Sequence, residues 1–70
     1  MEELRAPMVG RIIEVLVEPG AQVDEDDEVL VIESMKMQIP ITAPRAARIG
    51  EIRVSPGTTV QEGDVLLTLE

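Results

Sequence analysis

Lys36 is the only lysine among the six basic residues of this chain, and the other five are arginines. Its ε-amine is therefore the single side-chain amine that an acyl donor could modify, because guanidinium groups stay protonated. The chain has no Cys, His or Tyr, so general acid–base work would fall to carboxylates. Those carboxylates lie mainly at positions expected to face water, and a domain of 70 residues has little room for a pocket. No catalytic residue and no metal site are assigned. An exposed alkylammonium is a poor nucleophile until it loses its proton, so modification of Lys36 requires a separate enzyme that supplies an activated acyl group.

The elements that must hold this amine come from a duplication. Shifting the sequence by 37 positions lays residues 6–33 on residues 43–70 without a gap. Ala6/Ala43, Pro7/Pro44, Pro19/Pro56, Gly20/Gly57, Asp27/Asp64, Leu30/Leu67 and Glu33/Glu70 are among the identical pairs. Two halves with one plan should fold alike and pack about a pseudo-two-fold axis, forming a closed pair because only two copies exist.

Each half reads as β structure. Residues Arg11 to Glu18 are rich in β-branched side chains and run into Pro19-Gly20, a turn signal; Arg48 to Val54 repeat the pattern before Pro56-Gly57. Strands alternate faces, so comparison of the copies assigns direction. Glu14/Glu51 and Leu16/Arg53 tolerate charge and are expected to face water, whereas Val15/Ile52 and Val17/Val54 are expected in the core. Ile12/Ile49 has the opposite parity, which a bulge or strand twist would account for. In the second strong strand of each half, Leu30/Leu67 and Ile32/Leu69 are expected to point inward and Val31/Thr68 outward. Asp24 to Asp27 and Gln61 to Asp64 read as polar turns. No stretch has the 10–12 residues of 3.6 periodicity that a helix requires. The expected fold class is all-β, two small sheets wrapped into a flattened barrel or sandwich.

Residues 34–42 belong to neither copy and form the connector. It crosses near the symmetry axis at one end of the molecule, which puts Lys36 at a strand junction, at a hairpin tip. Turn chemistry opposes this placement. Two-residue hairpin loops favour Asn-Gly or other glycine-containing pairs because both central residues need positive φ. Met35-Lys36 would carry about 1–3 kcal/mol of backbone strain in that geometry. A locally unfavourable choice in an otherwise consistent sequence marks a place where function overrides foldability. Met35 and Met37, as adaptable apolar side chains, could serve packing or recognition. Met8 reads as local packing near the hairpin, Glu33 as structural because Glu70 repeats it, and Asp24 to Glu28 as a solvated loop.

Composition narrows the partners. The formal net charge is −8 and the sequence pI about 4.3, which repels phosphate backbones and anionic membranes. Aromatic residues are absent, removing the stacking platforms used for single strands and the usual anchors of tight interfaces. No nucleic-acid or membrane partner is expected, and partner contacts should be transient. Residues 1–70 are expected to be one domain. No apolar run is long enough for a bilayer span, and Met1-Glu2-Glu3-Leu4 is acidic where a signal peptide is basic. A cytoplasmic location is the expectation.

The run Glu33-Ser34-Met35-Lys36-Met37 resembles the Met-Lys-Met motif of the biotinyl domains, those of biotin carboxyl carrier proteins and of acyl-CoA and pyruvate carboxylases. The resemblance covers nearly the whole chain and includes Ala6-Pro7-Met8 with Gly10, Pro19-Gly20, and Ala43-Pro44 after the lysine. The short length looks most like the compact bacterial biotin/lipoyl attachment proteins. It implies a flattened barrel of two four-stranded antiparallel sheets with Lys36 on an exposed hairpin and biotin as the covalent cofactor on Lys36. Met35 and Met37 match the flanking methionines associated with correct modification. It also implies a non-catalytic carrier with three partners: a biotin protein ligase that loads Lys36, and a biotin carboxylase and a carboxyltransferase between which carboxybiotin is shuttled. Two positions depart from the family pattern. Asp26 stands where a turn glycine is usual, kept here as Gly63, and Ala47 where glycine is common. No inserted thumb segment is present.

Two other functions fit a domain of this kind. A lipoyl carrier shares the fold, but its lysine usually follows an acidic residue, as in Asp-Lys-Ala, and Met-Lys-Met disfavours it. An unmodified acidic adaptor would bind a partner through a sheet edge.

Overall fold

A computed structural model describes residues 1–70 as eight strands and no helix: β1 (Glu2–Arg5), β2 (Gly10–Val15), β3 (Gln22–Val23), β4 (Glu28–Ser34), β5 (Met37–Thr42), β6 (Ala47–Ile52), β7 (Thr59–Val60) and β8 (Val65–Leu69). They form two four-stranded antiparallel sheets, in the orders β1-β8-β6-β3 and β5-β4-β2-β7. With no helix in the fold, none is long and apolar enough to cross a membrane.

The repeat governs the topology. Adding 37 to the β1–β8 register, Glu2↔Leu69 and Leu4↔Leu67, reproduces the β5–β4 register, Ile39↔Ile32 and Ile41↔Leu30, once positions past the repeat are carried back to the first copy. The same operation turns Gly10↔Val60 into Ala47↔Val23. Each half therefore lends its shortest strand, β3 or β7, to the sheet of the other half. The connector is not wholly outside the repeat, since its β5 portion is the counterpart of β1. Beyond the apolar pair Leu4/Ile41, little in the two side-chain sequences shows this. The relation resides in backbone pairing.

Turns close the corners in matching pairs. Ala21 N–H donates to Glu18 O (3.0 Å) across Pro19-Gly20, and Thr58 N–H donates to Ser55 O (3.0 Å) across Pro56-Gly57. Gly20 and Gly57 have φ of 88° and 95°, the positive value required at the third residue of such a turn. Sheets are tied across the corner by Gly20 N–H to Ile49 O (2.7 Å) and Gly57 N–H to Ile12 O (2.8 Å). Asp27 and Asp64 cap equivalent turns, accepting from Asp24 N–H (2.9 Å) and Gln61 N–H (2.8 Å).

The core is a layer of aliphatic side chains between the sheets, with Leu30, Ile32, Leu67 and Leu69 fully buried as expected. Ile12 and Ile49 are equally buried, and bulges resolve their parity. On β2 the register passes from Ile12↔Ile32 to Glu14↔Val31, and on β6 from Ile49↔Leu69 to Ile52↔Leu67. Each step inserts one extra residue, which lets Ile12 and Val15, or Ile49 and Ile52, turn to the same side. Val15, Val17, Ile52 and Val54 are half-buried and pack on the rim of the core. Leu16 and Arg53 face water, as do Glu14 and Glu51. Thr68 departs from expectation. It is buried rather than outward-facing, because its hydroxyl accepts a hydrogen bond from the Glu51 N–H (2.8 Å) freed by the β6 bulge.

Candidate functional site

The β4–β5 hairpin is the longest paired segment of the molecule, running from Glu28↔Thr42 to the closing pair Ser34↔Met37. Its base is held by Leu30, Ile32 and Ile41 in the core, with Ile39 half-buried beside them. Towards the tip, Glu33 and Ser34 are half-buried and Gln38 is exposed. The strand pair is thus rigid at its root and increasingly solvated at its end. Pro40, opposite Val31 on the edge strand β5, lacks the N–H that an added strand would use, which blunts this edge against strand addition.

Two residues make the turn, Met35 and Lys36, with φ of 53° and 66°. Positive φ at both central residues is the geometry that matches the twist of the flanking strands, and it strongly favours Asn and Gly. Here a methionine and a lysine adopt it. Lys36 is exposed and makes no ion pair or hydrogen bond, whereas Arg5, Arg45 and Arg53 each pair with a glutamate.

Apolar, exposed side chains flank the amine on both sides in the chain. Met35 is 91% exposed and Met37 64%. The β2–β4 register runs through Arg11↔Glu33, so the residues before Gly10 lie at this same end. There Met8 is half-buried, in keeping with local packing, and Val9 is 54% exposed. Val9 carries no signal of its own in the sequence: its repeat counterpart is Ala46, another small apolar residue, and the charge in that loop, Arg45, is the counterpart of Met8. The structure therefore brings Met35, Lys36 and Met37 together at one tip, with Met8 and Val9 at the same end of the molecule. Glu33 lies one step down the strand.

The two-fold relates this hairpin to the place where Glu2 pairs with Leu69, so the tip lies away from the pseudo-symmetry axis and not near it as the connector's position in the sequence suggests. The concave patch on the surface, lined by Val15, Leu16, Val17, Ala21, Gln22 and Glu28 among others, does not include Lys36. A protruding, unpaired primary amine on a stiff two-stranded stalk suits attachment of a group that must be read by other proteins.

A family model described as "Biotin-requiring enzyme" matches residues 2–69. A biotinylated protein of Mycobacterium tuberculosis, TB7.3, is 48% identical over 42 residues, a segment covering 60% of this chain and 59% of that protein. The mitochondrial propionyl-CoA carboxylase alpha chain of Homo sapiens is 52% identical over 40 residues, 57% of this chain and 6% of that one. The chain thus spans less than two thirds of the relatives it matches. Among solved structures, a single-chain, multi-domain long-chain acyl-CoA carboxylase superposes with a TM-score of 0.93 at 38% identity, over 97% of this chain and 7% of that one. The lipoyl domain of the 2-oxoglutarate dehydrogenase complex from Azotobacter vinelandii superposes with a TM-score of 0.85 at 26% identity, over 100% and 96% of the two chains.

Proposed function

This chain belongs to the biotinyl/lipoyl attachment family, and from that premise we propose that it is a biotin carboxyl carrier domain loaded on Lys36. The observation that carries this reading is the placement of the only lysine, exposed and unpaired, on a positive-φ turn between two exposed methionines. The Lys36 Nζ holds biotin through an amide bond formed by a biotin protein ligase. Met35 and Met37 offer that enzyme an apolar contact on either side of the amine. Biotin bound there supplies a ureido nitrogen able to take up and release a carboxyl group. The residues of this chain do the rest: β4 and β5 hold the tether away from the core, and the domain keeps the attached group at high effective concentration near two sites. Those sites are a biotin carboxylase and a carboxyltransferase, and the chain contributes no catalysis of its own.

Nothing about the tip obstructs attachment. Lys36 has no carboxylate partner to break and no packed neighbour to displace. The likeness to a lipoyl domain reflects the shared fold, while the Met-Lys-Met run and the biotinylated mycobacterial relative favour biotin.

Intact-mass measurement after incubation with a biotin protein ligase, ATP and biotin tests the reading. One biotinyl increment is expected, and none in Lys36→Arg. A lipoyl increment with a lipoate ligase, and none with biotin, would replace this reading with the lipoyl carrier. No increment with either enzyme would favour the unmodified adaptor.

A further inference from the structure

The chain has no Cys, His, Trp or Tyr, so its four methionine thioethers are the only side chains that mild oxidants readily attack. Their distribution is uneven. Met1, at the terminus, is 90% exposed, Met8 is half-buried, and the remaining two flank the single lysine with 91% and 64% of their surfaces exposed. Neither Met35 nor Met37 belongs to the hydrophobic core, so oxidation there costs the fold little. Most large apolar side chains in the fold are buried or packed against the core, so two bare thioethers, one in the turn and one on the first residue of β5, are not accounted for by packing.

We propose that Met35 and Met37 form a reversible oxidation site that governs whether Lys36 can be acylated; the inference rests on the reading of Lys36 as the biotin acceptor. In the step itself, a sulfur lone pair attacks the terminal oxygen of a hydroperoxide. The O–O bond breaks as the S–O bond forms, and water or an alcohol leaves. Sulfur is oxidised by two electrons, the peroxide is reduced, and a thiol-dependent sulfoxide reductase reverses the change. The product places a strong acceptor dipole on each side of the amine. An enzyme surface shaped for apolar methionine would then have to bury an S=O group without a donor, which is unfavourable. The amine is untouched, and so is an amide already formed on it. The site therefore blocks new loading and leaves loaded carrier in place.

The test uses the full unloaded chain, oxidised before any biotin is added so that the thioether of biotin itself is not a target. Hydrogen peroxide is titrated in, and the sites are mapped by peptide mass spectrometry. Circular dichroism monitors the fold, and the rate of biotinylation by a ligase is then measured. Met35 and Met37 should oxidise before Met8, and the fully oxidised chain should be loaded about tenfold more slowly or worse, the scale of losing a central interface contact. Sulfoxide reductase should restore the rate. Met8→Leu should lose and regain acceptance in parallel with the unsubstituted chain. The double variant Met35→Leu/Met37→Leu, in which Met1 is still oxidised, should show the same loading rate before and after peroxide, assigning the effect to the hairpin. An unchanged rate with both Met35 and Met37 oxidised overturns the proposal, as does oxidation of Met8 ahead of them. Failure of the unoxidised chain to accept biotin would instead overturn the functional reading beneath it.

Discussion

Gly10 has no room for a side chain because Ile32 fills the space. A Cβ built on Gly10 would lie 2.5 Å from the Ile32 Cγ2 and 2.7 Å from the Glu33 carbonyl oxygen. The repeat supplies the control. The equivalent positions in the second half are Ala47 and Leu69, where a methyl is present and the facing residue branches at Cγ instead of Cβ. Glycine with isoleucine and alanine with leucine are two solutions to one packing problem.

Gly10→Ala should therefore destabilise the domain by about 1–3 kcal/mol, the range for overpacking a close-packed interior. In the Gly10→Ala background, Ile32→Leu should recover part of that loss, copying the second-half solution. A double-mutant cycle from urea denaturation should show the two changes coupling favourably. Strict additivity would mean that the Ile32 methyl is not what excludes the side chain.

The hairpin turn should be improvable at the expense of its use. Met35 sits at φ 53°, where asparagine is far more at ease. Met35→Asn should raise stability by about 0.5–1 kcal/mol, a gain typical of relieving a single unfavourable backbone position. It should also slow loading of Lys36 by removing an apolar contact. Opposite signs in thermal denaturation and in biotinylation rate are the expected pair of results. A variant both less stable and normally loaded would contradict the assignment of strain and recognition to this residue.

Much of this is legible in the amino-acid sequence. The solitary lysine, the 37-residue shift and the β-branched runs before Pro-Gly lead to a paired β fold with the amine at a junction, because those signals are local or depend on exact identity. What stayed hidden depends on geometry between strands. The broken alternation at Ile12 and Ile49 is visible in the sequence, but choosing a bulge over strand twist, and placing it, needs the register between strands. The relation of β1 to β5 is carried by hydrogen-bond register while the side chains have diverged. A lone valine such as Val9 is ordinary in a sequence, and only the strand register puts it at the same end as the tip.

Asp26 illustrates the same comparison between copies at a turn. It has φ 73° where Gly63, its counterpart, has φ 91°. A Cβ on Gly63 would meet nothing within 4 Å, so the two turns differ in backbone cost and not in crowding. Left-handed geometry is least costly for Asp and Asn among the non-glycine residues, which limits the gain from relieving it. Asp26→Gly should stabilise by up to about 1 kcal/mol, and Gly63→Asp should destabilise by a similar amount. Midpoints of thermal unfolding for the two variants should move in opposite directions. Relief of repulsion in the acidic run Asp24 to Glu28 acts in the same sense as the dihedral, so movement of both midpoints in the same direction would mean that neither effect sets the difference between the two turns.

Thr68 carries the remaining consequence of the bulges. In the second half, the Glu51 N–H donates to the Thr68 hydroxyl at 2.8 Å, and Gly50 leaves that hydroxyl its space, since a Cβ there would run into it. The first half has Val31 in place of Thr68 and Ile13 in place of Gly50, so the two bulges are satisfied by different means. Thr68→Val keeps the shape and deletes the acceptor, leaving a partly buried donor unpaired at a cost of about 1–3 kcal/mol. Thr68→Ser keeps the acceptor and should lose less, about the value of one buried methyl group or roughly 1 kcal/mol. Amide hydrogen exchange at Glu51 separates the causes. It should accelerate strongly in Thr68→Val beyond the change expected from global stability, and follow global stability in Thr68→Ser. Equal protection of Glu51 in both variants would mean that the hydroxyl is buried for packing and that the bulge amide finds its partner elsewhere.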